Sequence, residues 1–295
     1  MKYINLSLLV TSIYLLTSCG SGKVLTQKKT DADTYFLNKD YTNALTQYNA
    51  IIDIYETNDN SSECPVYTKA GISAFEAGDE KLAIKYLKND EFSNFKKEET
   101  FYYLAKGYDK IDNLSLKLMA LKDYISKYPN GKYINDVNEQ LFYTYVESEN
   151  YQDALILWPV VSGLKPDNKH LLQAYFDVNK GLNNTNQCND IAIDMLELDP
   201  NNVVALEWFG KQYYRKAEDR YQDEMKAYDK KKTNKQYKIL LKALDIVTAD
   251  FKKSLGYFDK LYSINPTPEY ANYLSHIYKR LSDKKKAEYY KKLAE

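Results

Sequence analysis

Tyr145-Val146-Glu147-Ser148-Glu149-Asn150-Tyr151-Gln152-Asp153-Ala154-Leu155-Ile156-Leu157-Trp158 decides how this chain folds. Tyr151, Ala154 and Trp158 stand at i, i+3 and i+7, which places them on one face of a helix. Nine residues before Ala154, across a short polar stretch, stands Tyr145. The same arrangement returns with Tyr35, Tyr41, Ala44 and Tyr48, and again with Ala74, Glu80, Ala83 and Leu87. Each instance reads as two helices joined by a turn, with a small residue where they cross.

Prolines punctuate the repeats, because proline cannot continue a helix. Tyr128-Pro129, Lys165-Pro166, Asp199-Pro200 and Asn265-Pro266 close successive units, and Pro129, Pro166 and Pro200 are 37 and 34 residues apart. Glycine (10) and proline (7) are scarce and tyrosine (30) is abundant, a composition that suits helices rather than a sheet.

A 34-residue helix–turn–helix with this pattern resembles the tetratricopeptide repeat. The resemblance implies an all-α superhelical solenoid of about seven repeats, covering nearly all of the chain beyond its leader. Repeats one to five occupy 25–202, repeat six 203–266 and repeat seven 268–295. In repeat three Lys117 replaces the turn alanine. One unit cannot bury its apolar face alone, so stacking makes the core and most tyrosines are packing residues.

The sixth repeat has about 30 residues too many. Tyr213, Ala217, Tyr221, Met225 and Tyr228 recur at helical spacing, as do Leu240, Leu244, Val247, Phe251 and Phe258. The pattern predicts a long antiparallel hairpin, zipped like a coiled coil. Its tip would carry Lys226, Lys230, Lys231, Lys232, Lys235 and Lys238. Two readings stand: a polybasic finger for an anionic partner, or solvated helix ends.

The leader adds an address. Lys2, the apolar run Ile4 to Leu16 and the small residues that close it form a signal peptide over 1–18, too short to span a membrane. Leu16-Thr17-Ser18-Cys19 resembles the lipobox of bacterial lipoproteins. That resemblance implies cleavage before Cys19, a diacylglyceryl group on its thiol and a membrane-held tether over 19–24. Gly20, where an Asp marks inner-membrane retention in such lipoproteins, implies the outer membrane. With no acidic residue between Cys19 and Asp31, the periplasmic face is expected. The whole is similar to tetratricopeptide lipoproteins of the Bacteroidetes cell envelope.

Net charge is zero, but it is unevenly spread. Residues 1–200 hold 20 Lys plus Arg against 28 Asp plus Glu, and residues 201–295 hold 21 against 13. This asymmetry allows self-association, or is an unevenly charged solvated surface. Cys64 and Cys188 lie too far apart in a solenoid to pair, so both are expected to be free, with Cys188 a small buried residue.

No catalytic chemistry stands out. His170 and His276 have no Cys or His partner at metal spacing, and there is no phosphate-binding glycine loop or serine elbow beyond the tether. No cofactor, metal or nucleic-acid partner is expected. The family resemblance implies recognition by first helices lining a concave groove. Carried over by repeat position, the groove residues are Tyr102, Lys106, Glu139, Tyr143, Gln173, Asp177, Glu207, Lys211, Tyr214, His276, Lys279 and Arg280. The expected function is a non-catalytic, membrane-anchored scaffold for protein partners in the cell envelope, in outer-membrane assembly or secretion. The Tyr128-Pro129-Asn130-Gly131-Lys132-Tyr133 junction, similar to one in the barrel-assembly lipoprotein, points that way. The alternative is a periplasmic binder of glycan, peptidoglycan or peptide.

Overall fold

A computed structural model describes residues 24–165 and 168–295. Cys19, the leader and Pro166 lie outside the described residues. Fourteen α-helices account for most of the described chain: α1 (24–37), α2 (Tyr41–Thr57), α3 (Tyr67–Glu76), α4 (Glu80–Glu91), α5 (Glu98–Lys110), α6 (Leu114–Lys127), α7 (Ile134–Glu147), α8 (Tyr151–Leu164), α9 (Lys169–Gly181), α10 (Thr185–Leu198), α11 (Val203–Lys230), α12 (Asn234–Ile264), α13 (Pro268–Arg280) and α14 (Lys284–Ala294). No strand occurs among the described residues.

One local device makes the turns. Six of the seven helical pairs turn through a single residue with positive φ: Lys39, Gly78, Asp112, Glu149, Asn183 and Ser282. The next residue is always Asp or Asn: Asp40, Asp79, Asn113, Asn150, Asn184 and Asp283. Its backbone N–H donates to the carbonyl five residues back, as in Asp79 to Ala74 (2.9 Å) and Asn150 to Tyr145 (2.8 Å). The side chains of Asp79, Asn113 and Asp283 accept from the N–H three residues on, at 3.0, 3.1 and 3.0 Å. A short carboxylate or amide can satisfy the open donors of the second helix. Four residues past each cap comes the crossing position, held by Ala44, Ala83, Lys117, Ala154, Cys188 and Ala287. Lys117 is buried there and reaches Asp109 at 2.5 Å.

Glycine serves the crossings too. A Cβ at Gly71 would stand 2.5 Å from Leu87 Cγ, so only hydrogen fits where α3 crosses α4. At Gly210 it would meet Phe258 at 3.2 Å, and the Gly210 carbonyl accepts from the buried Ser254 hydroxyl at 2.8 Å.

The chain divides into two compact units, one up to Leu164 and one from Lys165. That division falls inside the stretch read as repeats one to five. In unit one, Tyr48, Ile51, Ile52, Tyr67 and Ala70 form a core with Ala32 and Ala44. Tyr35, grouped with the packing residues from sequence, is instead 37% exposed. Asp90 is fully buried and accepts from Thr68 (2.9 Å), Ser93 (3.0 Å) and Thr100, so it ties α3, α4 and the start of α5 together. Among the described residues unit two shows two cores. Phe176, Cys188, Ile191 and Met195 form one, and Phe251, Phe258, Leu261, Leu274 and Ile277 the other. Cys64 and Cys188 are buried free thiols, one in each unit.

Within unit two, α11 and α12 run 28 and 31 residues, against 13 for α9 and 14 for α10. They pack through Ala217, Leu240, Ala243 and Val247, all buried. About 15 extra residues per helix at 1.5 Å each extend the hairpin by roughly 20 Å. Despite these lengths, no helix among the described residues is long and apolar enough to cross a membrane.

Candidate functional site

In unit two the first helices α9, α11 and α13 enclose a groove of about 510 Å³. One face of α11 supplies most of the wall: Val204, Glu207, Trp208, Lys211, Gln212, Tyr214, Arg215, Glu218 and Asp219. These positions recur every three or four residues, the spacing of one helix face. Phe176 and Lys180 come from α9, and Tyr273 from α13.

Aromatic rings form the floor. Trp208 meets Phe176 edge to face at 5.3 Å, and its indole N–H donates to Asn189 at 2.8 Å. Gln212 donates to the same Asn189 oxygen at 2.9 Å. Tyr214 and Tyr273 cross at 5.0 Å and 87°, while Tyr273 stacks on Phe258 at 4.2 Å. The rings are therefore fixed by one another and by Asn189 and Phe258, which do not line the groove.

Half of the charged side chains lining the groove are internally paired: Glu207, Lys211 and Glu218. Glu207 accepts from the Tyr270 hydroxyl and from Lys211 at 3.2 Å, and Lys211 also reaches Glu269 at 3.0 Å. Burial pulls the Lys211 ammonium down, but those two carboxylates outweigh it and lift it above its ordinary range. Burial and the bond to Glu207 together push the Tyr270 hydroxyl up to about 12. Glu218 accepts from Arg280 Nε at 3.0 Å and from Gln222 at 2.8 Å. Burial would raise its carboxyl, yet these donors hold it below the usual range. Arg280 also lies over the Tyr221 ring at 4.0 Å. By contrast Lys180, Arg215 and Asp219 make no ion pair among the described residues. Gln212, Arg215 and Asp219 continue into an adjoining polar pocket of about 420 Å³, shared with Thr185, Asn189, Tyr213 and Lys216.

Three positions named from sequence, Glu207, Lys211 and Tyr214, line this groove. Tyr214 bonds the exposed His276 at 3.3 Å, and Arg280 acts through Glu218. Lys279 is exposed on α13. Gln173 and Asp177 sit on α9, and Gln173 donates to the carboxylate at 3.3 and 3.4 Å. Burial raises the Asp177 carboxyl. Phe176, Lys180, Trp208, Arg215, Glu218 and Asp219 were not named from sequence, although the α11 members share the helical spacing of Glu207 and Lys211.

In unit one Tyr102 and Lys106 share an aromatic cluster. Tyr102 stacks on Tyr133 at 4.1 Å, and the Lys106 ammonium stands 5.0 Å from both Phe75 and Tyr103. Burial, and next the bond to Asp136, raises the Tyr102 hydroxyl. Glu139 and Tyr143 are half-buried on α7. Lys230, Lys231, Lys232 and Lys235 stand exposed where α11 turns into α12. Among the described residues, no group of three or more His, Cys, Asp or Glu is arranged to hold a metal.

Helical hairpins with a small residue at every such crossing but that of Lys117 define an all-α tetratricopeptide-repeat solenoid. Solved structures bear out the fold. The C-terminal part of a TPR repeat-containing protein from Cytophaga hutchinsonii is similar at 17% identity and a TM-score of 0.54, covering 90% of this chain and 93% of that one. A protein from Bacteroides ovatus is similar at 19% identity and a TM-score of 0.51, over 74% of this chain and 97% of that one. YrrB, a TPR protein with an unusual peptide-binding site, is similar at 16% identity and a TM-score of 0.50, over 61% of this chain and 89% of that one. The chain thus resembles tetratricopeptide-repeat proteins of Bacteroidetes in fold. No protein-family model matches the sequence. No curated protein matches it either.

Proposed function

We propose that this chain is a non-catalytic scaffold that takes a segment of a partner protein in the groove of its second unit. The observation that carries the reading is the pairing pattern of that groove. Glu207, Lys211 and Glu218 are spent on neighbours, while the cations Lys180 and Arg215 stand without an ion partner beside Trp208 and Tyr214. Fixed aromatic faces with a few convergent polar groups are what a recognition site needs. The chemistry favours a segment that offers a carboxylate to Lys180 or Arg215 and an apolar side chain to the rings. YrrB, similar in fold, has a peptide-binding site.

The membrane reading belongs to this proposal. Lipid on Cys19 would hold the scaffold on the outer membrane, facing the periplasm, with partners in the cell envelope. Two or more acyl chains are what stable anchoring takes.

Affinity purification from a bacterial host that lipidates Cys19 tests both parts. The expected result is a stoichiometric protein partner that is lost with K180E/R215E, and a membrane association that resists high salt and is lost with Cys19→Ala. Retention of glycan with no protein partner would sink the scaffold. A Cys19→Ala chain that still fractionates with the outer membrane in high salt would sink the anchor.

A further inference from the structure

The positive charge of the C-terminal third is concentrated in one place. Residues 201–295 carry a net +8, and residues 226–242 alone carry seven lysines against a single acid, Asp229. These residues are the tip of the α11–α12 hairpin. Contacts from α13 reach α11 at Tyr214, Glu218 and Tyr221, all before the tip begins. Among the described residues the tip's lysines make one ion pair, Lys232 to Asp229 at 3.5 Å, with both side chains more than 60% exposed. Six like charges in 17 residues thus face solvent with almost no internal compensation.

Apolar side chains are interleaved with those lysines. Tyr237, Ile239 and Leu241 are 48, 42 and 45% exposed. Tyr237 belongs to the first turn of α12 and meets Tyr228 of α11 at 5.9 Å, so an aromatic pair spans the hairpin close to the turn. A solvated helix end needs lysines but gains nothing from bare isoleucine, leucine and tyrosine beside them. A lipid interface uses both: amphipathic rings sit at headgroup level, aliphatic side chains enter the acyl boundary, and lysines meet anionic headgroups.

We propose that the hairpin tip, residues 226–242, docks on the anionic surface of a lipid bilayer. Charge complementarity selects the occupant. The tip is a narrow, convex turn with cations on both helices and on the loop between them, which suits a diffuse planar field of negative charge. A partner protein would need a concave acidic cup around it. The docking uses none of the groove's residues and does not require the lipid on Cys19, and it places a second membrane contact on the same chain.

Flotation of residues 20–295, a chain that holds every described helix and lacks Cys19, tests this against vesicles of phosphatidylcholine with and without 30 mol% phosphatidylglycerol. The chain is expected to float with the anionic vesicles, to remain behind with pure phosphatidylcholine, and to release as salt is raised. Each lysine near such a surface is worth roughly fivefold in partition, so K230Q/K231Q/K232Q lowers binding about 100-fold. Y237S/I239S changes exposed positions only and lowers binding to anionic vesicles about tenfold at unchanged charge. Circular dichroism keeps both variants honest as folded chains. Equal binding to both vesicle types, a triple-lysine variant that binds as well as the parent, or capture of the tip by an acidic protein with no vesicle binding would each overturn the proposal. None of these outcomes bears on K180E/R215E, so the groove and the tip fail separately.

Discussion

Asp90 is the most exacting test of how the first unit holds together. Its carboxylate is fully buried, and each of its oxygens is used: one takes Thr68 and Thr100, the other takes Ser93. All three hydroxyls are at most 5% exposed. Asp90→Ala removes the acceptor and leaves three buried hydroxyls short of a bond. A hydrogen bond to a charged group contributes about 1.5–3 kcal/mol net, and an orphaned buried partner costs about 1–3. Part of this is offset because the carboxylate no longer has to be desolvated. The expected loss is therefore about 3–5 kcal/mol. Asp90→Asn can keep its oxygen toward the two threonines and loses only the Ser93 bond, so it should cost about 1–2 kcal/mol. T68V/D90V/T100V removes two of the three donors together with the acceptor and should recover part of the alanine loss. The two tryptophans give a clean assay, because Trp158 lies in unit one and Trp208 in unit two. In a W208F background, Trp158 fluorescence follows unit one through a urea titration. With a slope near 2 kcal/mol/M, Asp90→Ala lowers the midpoint by about 1.5–2.5 M. A loss below about 1 kcal/mol, or a triple variant no more stable than the alanine one, would refute the hydroxyl-clamp argument.

Gly71→Ala should destabilise unit one by about 1–3 kcal/mol, since its Cβ would enter the Leu87 side chain where α3 and α4 cross; a urea midpoint unchanged from the parent would mean the crossing can open freely. Unit one should also weaken in acid. Burial raises the Asp33 carboxyl, but bonds from Lys29, Lys69 and Tyr48 outweigh it and hold it at about 2. A carboxyl lowered by folding stabilises the fold above its unfolded value, near 4, and that contribution fades as pH falls towards 2. Allowing for solvent screening of its lysine partners, Asp33→Asn should cost roughly 1 kcal/mol at pH 7 and almost nothing at pH 2. Urea melts at both pH values check this, and a constant difference between them would contradict it.

The repeat and the long hairpin were legible in the sequence because both rest on short-range periodicity. Tyr151, Ala154 and Trp158 need only helical spacing to announce themselves, and so do Leu240, Val247 and Phe251. The turn device was equally present but went unread: an Asp or Asn stands four residues before every crossing residue, from Asp40 before Ala44 to Asp283 before Ala287. The site was legible only in part. Carrying groove positions over by repeat found Glu207, Lys211 and Tyr214, which fall where an ordinary first helix would place them. It stopped before Arg215, the thirteenth residue of α11, and before Glu218 and Asp219, where the lengthened α11 goes on past the 13-residue span of its neighbours. The pairing between repeats could not be read at all. Tyr270 meets Glu207 across 63 positions and Arg280 meets Glu218 across 62, partnerships that only the stacking of one repeat on the next creates.

The long α11 has a mechanical consequence. Its first four turns wall the groove, and its last residues reach the lysine-rich turn, with no break in the helix between them. A helix is stiff over such a length, so α11 joins the groove wall to the lysine-rich turn as one rod. If the groove and the tip bind as proposed, any tilt of that rod moves Trp208 and Arg215 together with the tip, and a coupling between the two sites would by thermodynamic linkage run equally in both directions.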